Sequence, residues 1–227
     1  IWTWLPGRVE PVVAGRLAPT PQGLQFNYGR SWLERGDAVP LYLPELPLQP
    51  GLLPLPTGLA MPGCLRDAAP DAWGRRVILN RALGGAGRDA DTTVLDELSY
   101  LLQSGSDRIG ALDFQASPSE YVPREGDGAS LEELLDSAAR VERGLPLSPA
   151  LAQALQHGTS IGGARPKATL ADDGRRWIAK FSSSGDVQPL VKLEFVAMRL
   201  AALAGLDVAP VKLVQAAGKD VLLVERF

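Results

Sequence analysis

The sequence predicts an α+β fold, with a β-rich N-terminal subdomain over roughly residues 1–60, then a helical and mixed region, and a final lobe of antiparallel strands with one helix. Three observations support this prediction. Strand-forming residues flank a Pro- and Gly-rich turn in PVVAGRLAPTPQGLQFNY. Several later stretches carry apolar residues at helical spacing. From about residue 157, a glycine-rich loop, a strand, a helix and a strand follow one another.

The individual elements follow from local signals. The hairpin covers residues 11–28. Residues 38–63 hold too many prolines for a helix or a central strand, so we expect an extended apolar segment that wraps a core. A polar stretch at 118–130 separates two predicted domains, 1–122 and 123–227. The remaining signals predict helices at 70–83, 91–104, 130–144, 148–158 and 190–205, and strands at 108–115, 175–183 and 219–227.

Composition excludes several classes of protein. Hydrophobic residues make up 45% of the 227 residues and charged residues 22%, which predicts a packed core. The net charge of −3 argues against nucleic-acid binding through the overall field. One cysteine, Cys64, cannot form an intrachain disulfide, and with one histidine it cannot fill a usual zinc ligand set. No apolar run is long enough to span a bilayer, so we expect a cytoplasmic protein without a membrane partner.

The glycine-rich loop SIGGARPKATL, residues 160–170, carries the first functional signal. Gly162 and Gly163 allow the backbone to approach a phosphate closely, and Arg165 or Lys167 can add positive charge. The residue order is neither that of a Walker loop nor G-x-G-x-x-G. When the loop is considered alone, a hairpin turn without a ligand is the favoured explanation.

The residues after the loop favour the phosphate-binding interpretation. A strand carries Lys180, an otherwise apolar stretch of helix carries Glu194, and the last strand ends in VERF. This is the order of a protein-kinase N-lobe, in which a lysine holds the phosphates and a helix glutamate orients that lysine. The alternatives are that Lys180 lies in solvent on an edge strand and that Glu194 is a solvated residue beside Lys192.

Several motifs in the same order resemble the HipA-like toxin kinases of bacterial toxin–antitoxin modules. The resemblance covers nearly the whole chain and rests on these stretches: PVVAGRL, LQFNYGRSWLERGDAVPLYLPELPL, DAAPDAWGRRVI, DELSYLLQSGSDRIGALDF, SIGGARPKATL, WIAKF, LEFVAMRLAALAGLDVAP and LLVERF. For the Asp71–Trp73 motif we favour a structural role, in which a helix starts at Asp71 and Trp73 packs in the core.

The resemblance implies a role for each matching residue. Lys180 would contact the ATP phosphates, and Glu194 would pair with Lys180. Ser160 would be the autophosphorylated residue, with Thr159 as a neighbouring candidate. The loop residues that would line the phosphates are Gly162, Gly163, Ala164, Arg165, Pro166 and Lys167, and the hinge residues beside the adenine are Glu225, Arg226 and Phe227.

The resemblance also implies parts and partners outside the sequence. The chain begins with Ile and stops within an apolar run, so we expect a piece of a longer protein. The catalytic Asp and the Mg²⁺ ligands would lie beyond Phe227, which predicts that this chain alone transfers no phosphate. The implied partners are a HipB-like helix-turn-helix antitoxin, DNA only through that antitoxin, and a protein substrate for which the family precedent is an aminoacyl-tRNA synthetase.

Two other functions remain open at this stage. One is a catalytically inactive relative that binds an antitoxin and acts as a co-repressor. The other is a small-molecule phosphotransferase with a kinase-like lobe.

Overall fold

The chain forms two compact units, and neither is continuous in sequence. The structure is a computed structural model that describes residues 1–85, 89–124, 129–172 and 174–226. The first unit comprises Ile1–Ala69 and Arg108–Pro123, and the second comprises Pro70–Asp107 and Arg124–Phe227. The predicted contiguous domains, 1–122 and 123–227, divide the chain differently, because residues 70–107 pack with the later part of the chain.

The first unit is built on short antiparallel strands. Its hairpin pairs Gly15 with Tyr28 and Thr20 with Gly23, which confirms the predicted hairpin. A second sheet contains three strands in the spatial order Val12–Val13, Trp2–Thr3 and Leu112–Asp113. The elements of this unit are β1 Trp2–Thr3, β2 Val12–Val13, β3 Gly15–Thr20, β4 Gly23–Tyr28, α1 Arg30–Leu33, α2 Gly63–Arg66 and β5 Leu112–Asp113.

The Pro-rich segment wraps this hairpin, as the sequence predicts. Leu46 and Leu53 are fully buried. The Tyr28 hydroxyl donates to the Leu46 carbonyl at 2.6 Å and accepts from the Leu41 amide at 2.9 Å. The backbone of this segment forms no regular β-ladder. The tyrosine hydroxyl therefore provides hydrogen bonds that a neighbouring strand would otherwise provide.

The second unit places helices beside a four-stranded antiparallel sheet with the strand order β6-β7-β9-β8. This unit also contains two short 3₁₀ turns, the first at Thr92–Val94 and the second at His157–Ser160. The elements are α3 Ala72–Leu83, α4 Glu97–Gln103, α5 Leu131–Arg143, α6 Pro149–Gln156, β6 Lys167–Asp172, β7 Arg175–Phe181, α7 Leu190–Leu203, β8 Val211–Ala216 and β9 Lys219–Glu225.

The core of the second unit joins the sheet to α3, α5 and α6. Trp73 and Trp177 are each 1% exposed and belong to one apolar cluster with residues of these elements. Ser130 caps α5 and forms a capping box with Glu133, which confirms that helix start. No helix among the described residues is both long and apolar enough to cross a membrane.

The predicted mixture of helices and strands is confirmed, but several boundaries are wrong. The predicted helix at 91–104 is divided, because Asp91 caps the 3₁₀ turn and Asp96 separately caps α4. The predicted strand at 108–115 is reduced to β5, since Gly110 has a φ of 93° that interrupts extended backbone. The sequence reading missed β6 and β8 altogether.

Close packing of α3 against the second 3₁₀ turn gives a test of this architecture. A Cβ atom at Gly74 would lie 2.1 Å from the Thr159 carbonyl oxygen and 2.9 Å from Pro70 Cβ. We expect Gly74→Ala to lower the free energy of unfolding by about 2 kcal/mol or more through overpacking. This should occur although Ala normally stabilises a helix interior by about 1 kcal/mol relative to Gly.

Urea denaturation followed by tryptophan fluorescence measures this change. Gly36→Ala is the matched control, because no heavy atom lies within 4 Å of the added Cβ. A Gly74→Ala protein as stable as the unsubstituted protein would contradict the close approach of α3.

Candidate functional site

The glycine-rich loop leaves the 3₁₀ turn and enters β6. Gly162 and Gly163 have φ values of 89° and 87°, a region that favours glycine. A Cβ atom at Gly163 would lie 2.9 Å from Lys167 Nζ, so a side chain there would displace the lysine. The two glycines therefore allow the backbone turn, and Gly163 also keeps space beside the Lys167 ammonium group.

Two neighbouring hydroxyls precede the glycines but have different environments. Thr159 is 1% exposed, and its hydroxyl donates to the Gln156 carbonyl and accepts from the Gly105 amide at 3.0 Å. Ser160 is only partly buried, and its hydroxyl donates to the Gly105 carbonyl at 2.8 Å. Ser160 is thus the more accessible of the two.

Lys180 and Glu194 form an ion pair between β7 and α7. Lys180 Nζ donates to Glu194 Oε1, and the two side chains are 33% and 41% exposed. Both residues therefore have a partner and keep access to solvent. The sequence anticipates this pairing only through the order of strand and helix, since 13 residues separate the two positions along the chain.

Lys167 lies directly opposite Lys180 in the antiparallel pairing of β6 and β7. Lys167 is 6% exposed, and its ammonium group donates to the Arg165 carbonyl at 2.9 Å. Burial, and then the charge of Lys180, lower the pKa of Lys167 from 10.5 to about 8. Like charges placed opposite each other across strands are destabilising, so the pair forms a site that an anion would stabilise.

Arg165 and the predicted hinge residues are already engaged. Arg165 makes a bidentate contact with Asp186, with one distance of 2.8 Å. The amide of Glu225 donates to the Pro210 carbonyl at 2.9 Å, and the amide of Arg226 donates to the Arg176 carbonyl at 2.8 Å. Phe227, the third predicted hinge residue, lies outside the described residues.

The N-terminal turn of α3 contacts the loop through both backbone and side chains. Asp71 Oδ2 accepts from the Gly163 amide at 2.5 Å, and the Trp73 amide donates to the Gly163 carbonyl at 3.2 Å. Arg76 Nη2 donates to the Ala164 carbonyl, and Trp73 Nε1 donates to the Lys167 carbonyl at 2.9 Å. The sequence prediction of a buried tryptophan at this helix start is therefore incomplete, because the motif also contacts the loop.

Sequence reasoning could not find these contacts. Asp71 and Gly163 are 92 residues apart, and no local periodicity links positions so distant.

The strand β8 did carry a signal, namely alternating Val211 and Leu213 before a turn at Ala217 and Gly218, both with positive φ. Among the described residues, no group of three His, Cys, Asp or Glu side chains is arranged to hold a metal ion.

The buried charge of Lys167 predicts a pH-dependent stability. Because its pKa is lowered in the folded chain, its charged form opposes folding at pH 7, and this opposition fades as pH rises from about 8 towards 10.5. Lys167→Met should therefore raise the unfolding midpoint at pH 7, and the advantage should shrink across that pH range. Thermal unfolding between pH 6 and 10 measures the effect.

The exposed Lys219→Met is the matched control and should change the unfolding midpoint little at any pH. A Lys167→Met protein that is less stable than the unsubstituted chain at pH 7 would show that the hydrogen bond to Arg165 outweighs the burial of charge.

Two family models, both of HipA proteins, match this chain. A model described as the HipA N-terminal domain matches residues 8–115, and one described as the HipA-like C-terminal domain matches residues 159–227. One similar solved structure is HipA of the Shewanella oneidensis MR-1 toxin–antitoxin system, in complex with HipB and its operator DNA. That match has a TM-score of 0.49 and 21% identity, and covers 94% of this chain and 48% of the other.

The chain thus spans about half the length of that solved relative. Curated proteins gave no significant match. The two HipA models together account for roughly three quarters of the residues, one at each end of the chain. The chain belongs to the HipA-like family.

Proposed function

We propose that this chain is the nucleotide-binding part of a HipA-like toxin that acts as a serine/threonine kinase. Such a kinase transfers the γ-phosphate of ATP to a protein hydroxyl and to its own Ser160. One observation carries the proposal: the ion pair of Lys180 and Glu194 stands beside a glycine-rich loop that presents a second lysine, Lys167.

The residues present fit a chain of phosphates. Gly163 leaves room beside the Lys167 ammonium group, and its amide already donates to an oxyanion, the carboxylate of Asp71. Glu194 orients Lys180, while a third of the lysine side chain stays accessible. Bound ATP would supply the phosphoryl group, and these residues would orient it and neutralise its charge.

The other parts of the proposed reaction come from family membership. We expect the catalytic Asp and the Mg²⁺ ligands beyond Phe227, and a HipB-like helix-turn-helix antitoxin as partner. The proposed protein substrate is an aminoacyl-tRNA synthetase. Adenine would contact the carbonyl oxygens of Glu225 and Arg226, because the amides of both residues already donate hydrogen bonds to other backbone carbonyls.

Lys180→Ala in the full-length protein tests the kinase proposal. Removing a charge that faces developing negative charge should lower autophosphorylation by roughly 100-fold or more. It should also weaken the binding of a non-hydrolysable ATP analogue by about tenfold, the loss of one charge-assisted contact. Isothermal titration and phosphate incorporation measure the two effects.

Lys192→Ala is the matched control, since Lys192 lies on α7 and pairs with Asp220 at 2.9 Å and not with Glu194. Unchanged affinity and activity in Lys180→Ala would refute the kinase proposal. Absence of both nucleotide binding and autophosphorylation in the unsubstituted full-length protein would favour an inactive co-repressor instead.

Ser160 provides a separate test of regulation. A phosphoserine carries about −1.5 to −2 charges at neutral pH and cannot donate to the Gly105 carbonyl as the hydroxyl does. We expect Ser160→Asp to weaken binding of the ATP analogue by about tenfold or more, because the added charge repels the phosphates at short range. The unfolding midpoint should change little.

Ser160→Ala is the control, because it removes one hydrogen bond worth about 1 kcal/mol and adds no charge. Mass spectrometry of the autophosphorylated full-length protein should locate the phosphate on Ser160. Phosphate on Thr159, or full affinity in Ser160→Asp, would exclude Ser160 as the regulatory site.

A further inference from the structure

The contacts between α3 and the glycine-rich loop are of two chemical kinds. Trp73 and Arg76 donate hydrogen bonds to the carbonyl oxygens of Gly163, Ala164 and Lys167. Asp71 instead accepts the hydrogen bond of the Gly163 amide. A phosphate group accepts hydrogen bonds and does not donate them when ionised, so it competes for the amide and leaves the carbonyl contacts untouched.

Asp71 has an unusual arrangement for a residue at the start of a helix. An Asp at this position ordinarily accepts from an amide in the first turn of its own helix. The Asp71 side chain makes no such bond with α3 and is directed to Gly163 instead. The carboxylate therefore hydrogen-bonds to the glycine-rich loop and does not cap its own helix.

The local charges explain why an anion belongs there. Lys167 lies opposite Lys180 across the two strands. Burial lowers the pKa of Lys167 most, the charges of Lys180, Arg165 and Arg76 lower it further, and Asp71 raises it. Glu194 pairs with Lys180, and Asp186 pairs with Arg165. Asp71 thus supplies negative charge to Lys167 while its carboxylate accepts the hydrogen bond of the Gly163 amide.

We propose that Asp71 is a built-in competitor for the phosphate-binding amide of Gly163, and that nucleotide binding displaces its carboxylate while Trp73 and Arg76 hold the loop. This inference rests on the proposed function. The displaced carboxylate can then cap α3 at the amide of Gly74, the third residue of the helix. Because the nucleotide must displace this carboxylate, it binds more weakly than it would to the same loop and lysines without Asp71.

Asp71→Asn in the full-length protein tests the proposal, because the amide keeps the shape of the carboxylate and removes its charge. We expect tripolyphosphate and a non-hydrolysable ATP analogue each to bind about 3- to 10-fold more tightly, which corresponds to one screened charge contact. Arg76→Ala should act in the opposite direction, with weaker binding and faster amide hydrogen exchange in residues 160–166. Glu132→Gln controls for net charge, since Glu132 is an exposed acid in α5.

The two probes separate the inference from the proposed function. If tripolyphosphate binding tightens in Asp71→Asn but the ATP analogue binds no better than tripolyphosphate, Asp71 is a competitor and the kinase proposal fails. If the ATP analogue binds and its affinity is unchanged or weaker in Asp71→Asn, Asp71 supports the loop and the competitor role is overturned. If neither probe binds either protein, both proposals fail.

Discussion

Trp73 is the contact on which the candidate site depends. Its indole ring is buried in the core beside α5, α6 and β7, its indole N–H binds the Lys167 carbonyl, and its amide binds the Gly163 carbonyl. One residue thus fixes both the turn of the glycine-rich loop and the first residue of β6. Because its side chain belongs to the core, the loop conformation is tied to the stability of the second unit.

The close approach of α3 makes this arrangement possible. Gly74 faces the Thr159 carbonyl at a distance that no side chain would permit, and a Cβ atom at Gly158 would similarly lie 2.6 Å from the Lys167 carbonyl. Two glycines therefore bring a helix, a 3₁₀ turn and a strand end into contact. The glycines within the loop have a different purpose: both provide positive φ, and Gly163 also leaves space beside Lys167.

Charge at the site is balanced pair by pair. Glu194 balances Lys180, Asp186 balances Arg165, and Asp71 acts on Lys167. The segment after β7 is held in turn by α5, where Glu142 accepts from the Ser183 hydroxyl and the Ser184 amide. Asp186 also accepts from the Ser183 amide, so the partner of Arg165 is itself fixed.

The sequence by itself determined the elements whose signals are local. The capping box at Ser130 and Glu133 fixes the start of α5, and alternating residues around a two-residue turn fix the first hairpin. Lys180 and Glu194 could be paired in advance because a strand followed directly by a helix returns over the same sheet.

Tertiary structure decided the rest, for a physical reason. The bond from Gly163 to Asp71 spans 92 residues, and it exists because Gly74 permits α3 to approach the loop. The grouping of residues 70–107 with the second unit has the same cause, since Trp73 and Val77 complete a core whose other buried members lie after residue 130. Local periodicity records which face of an element is apolar, but the partner of that face depends on packing between elements distant in sequence.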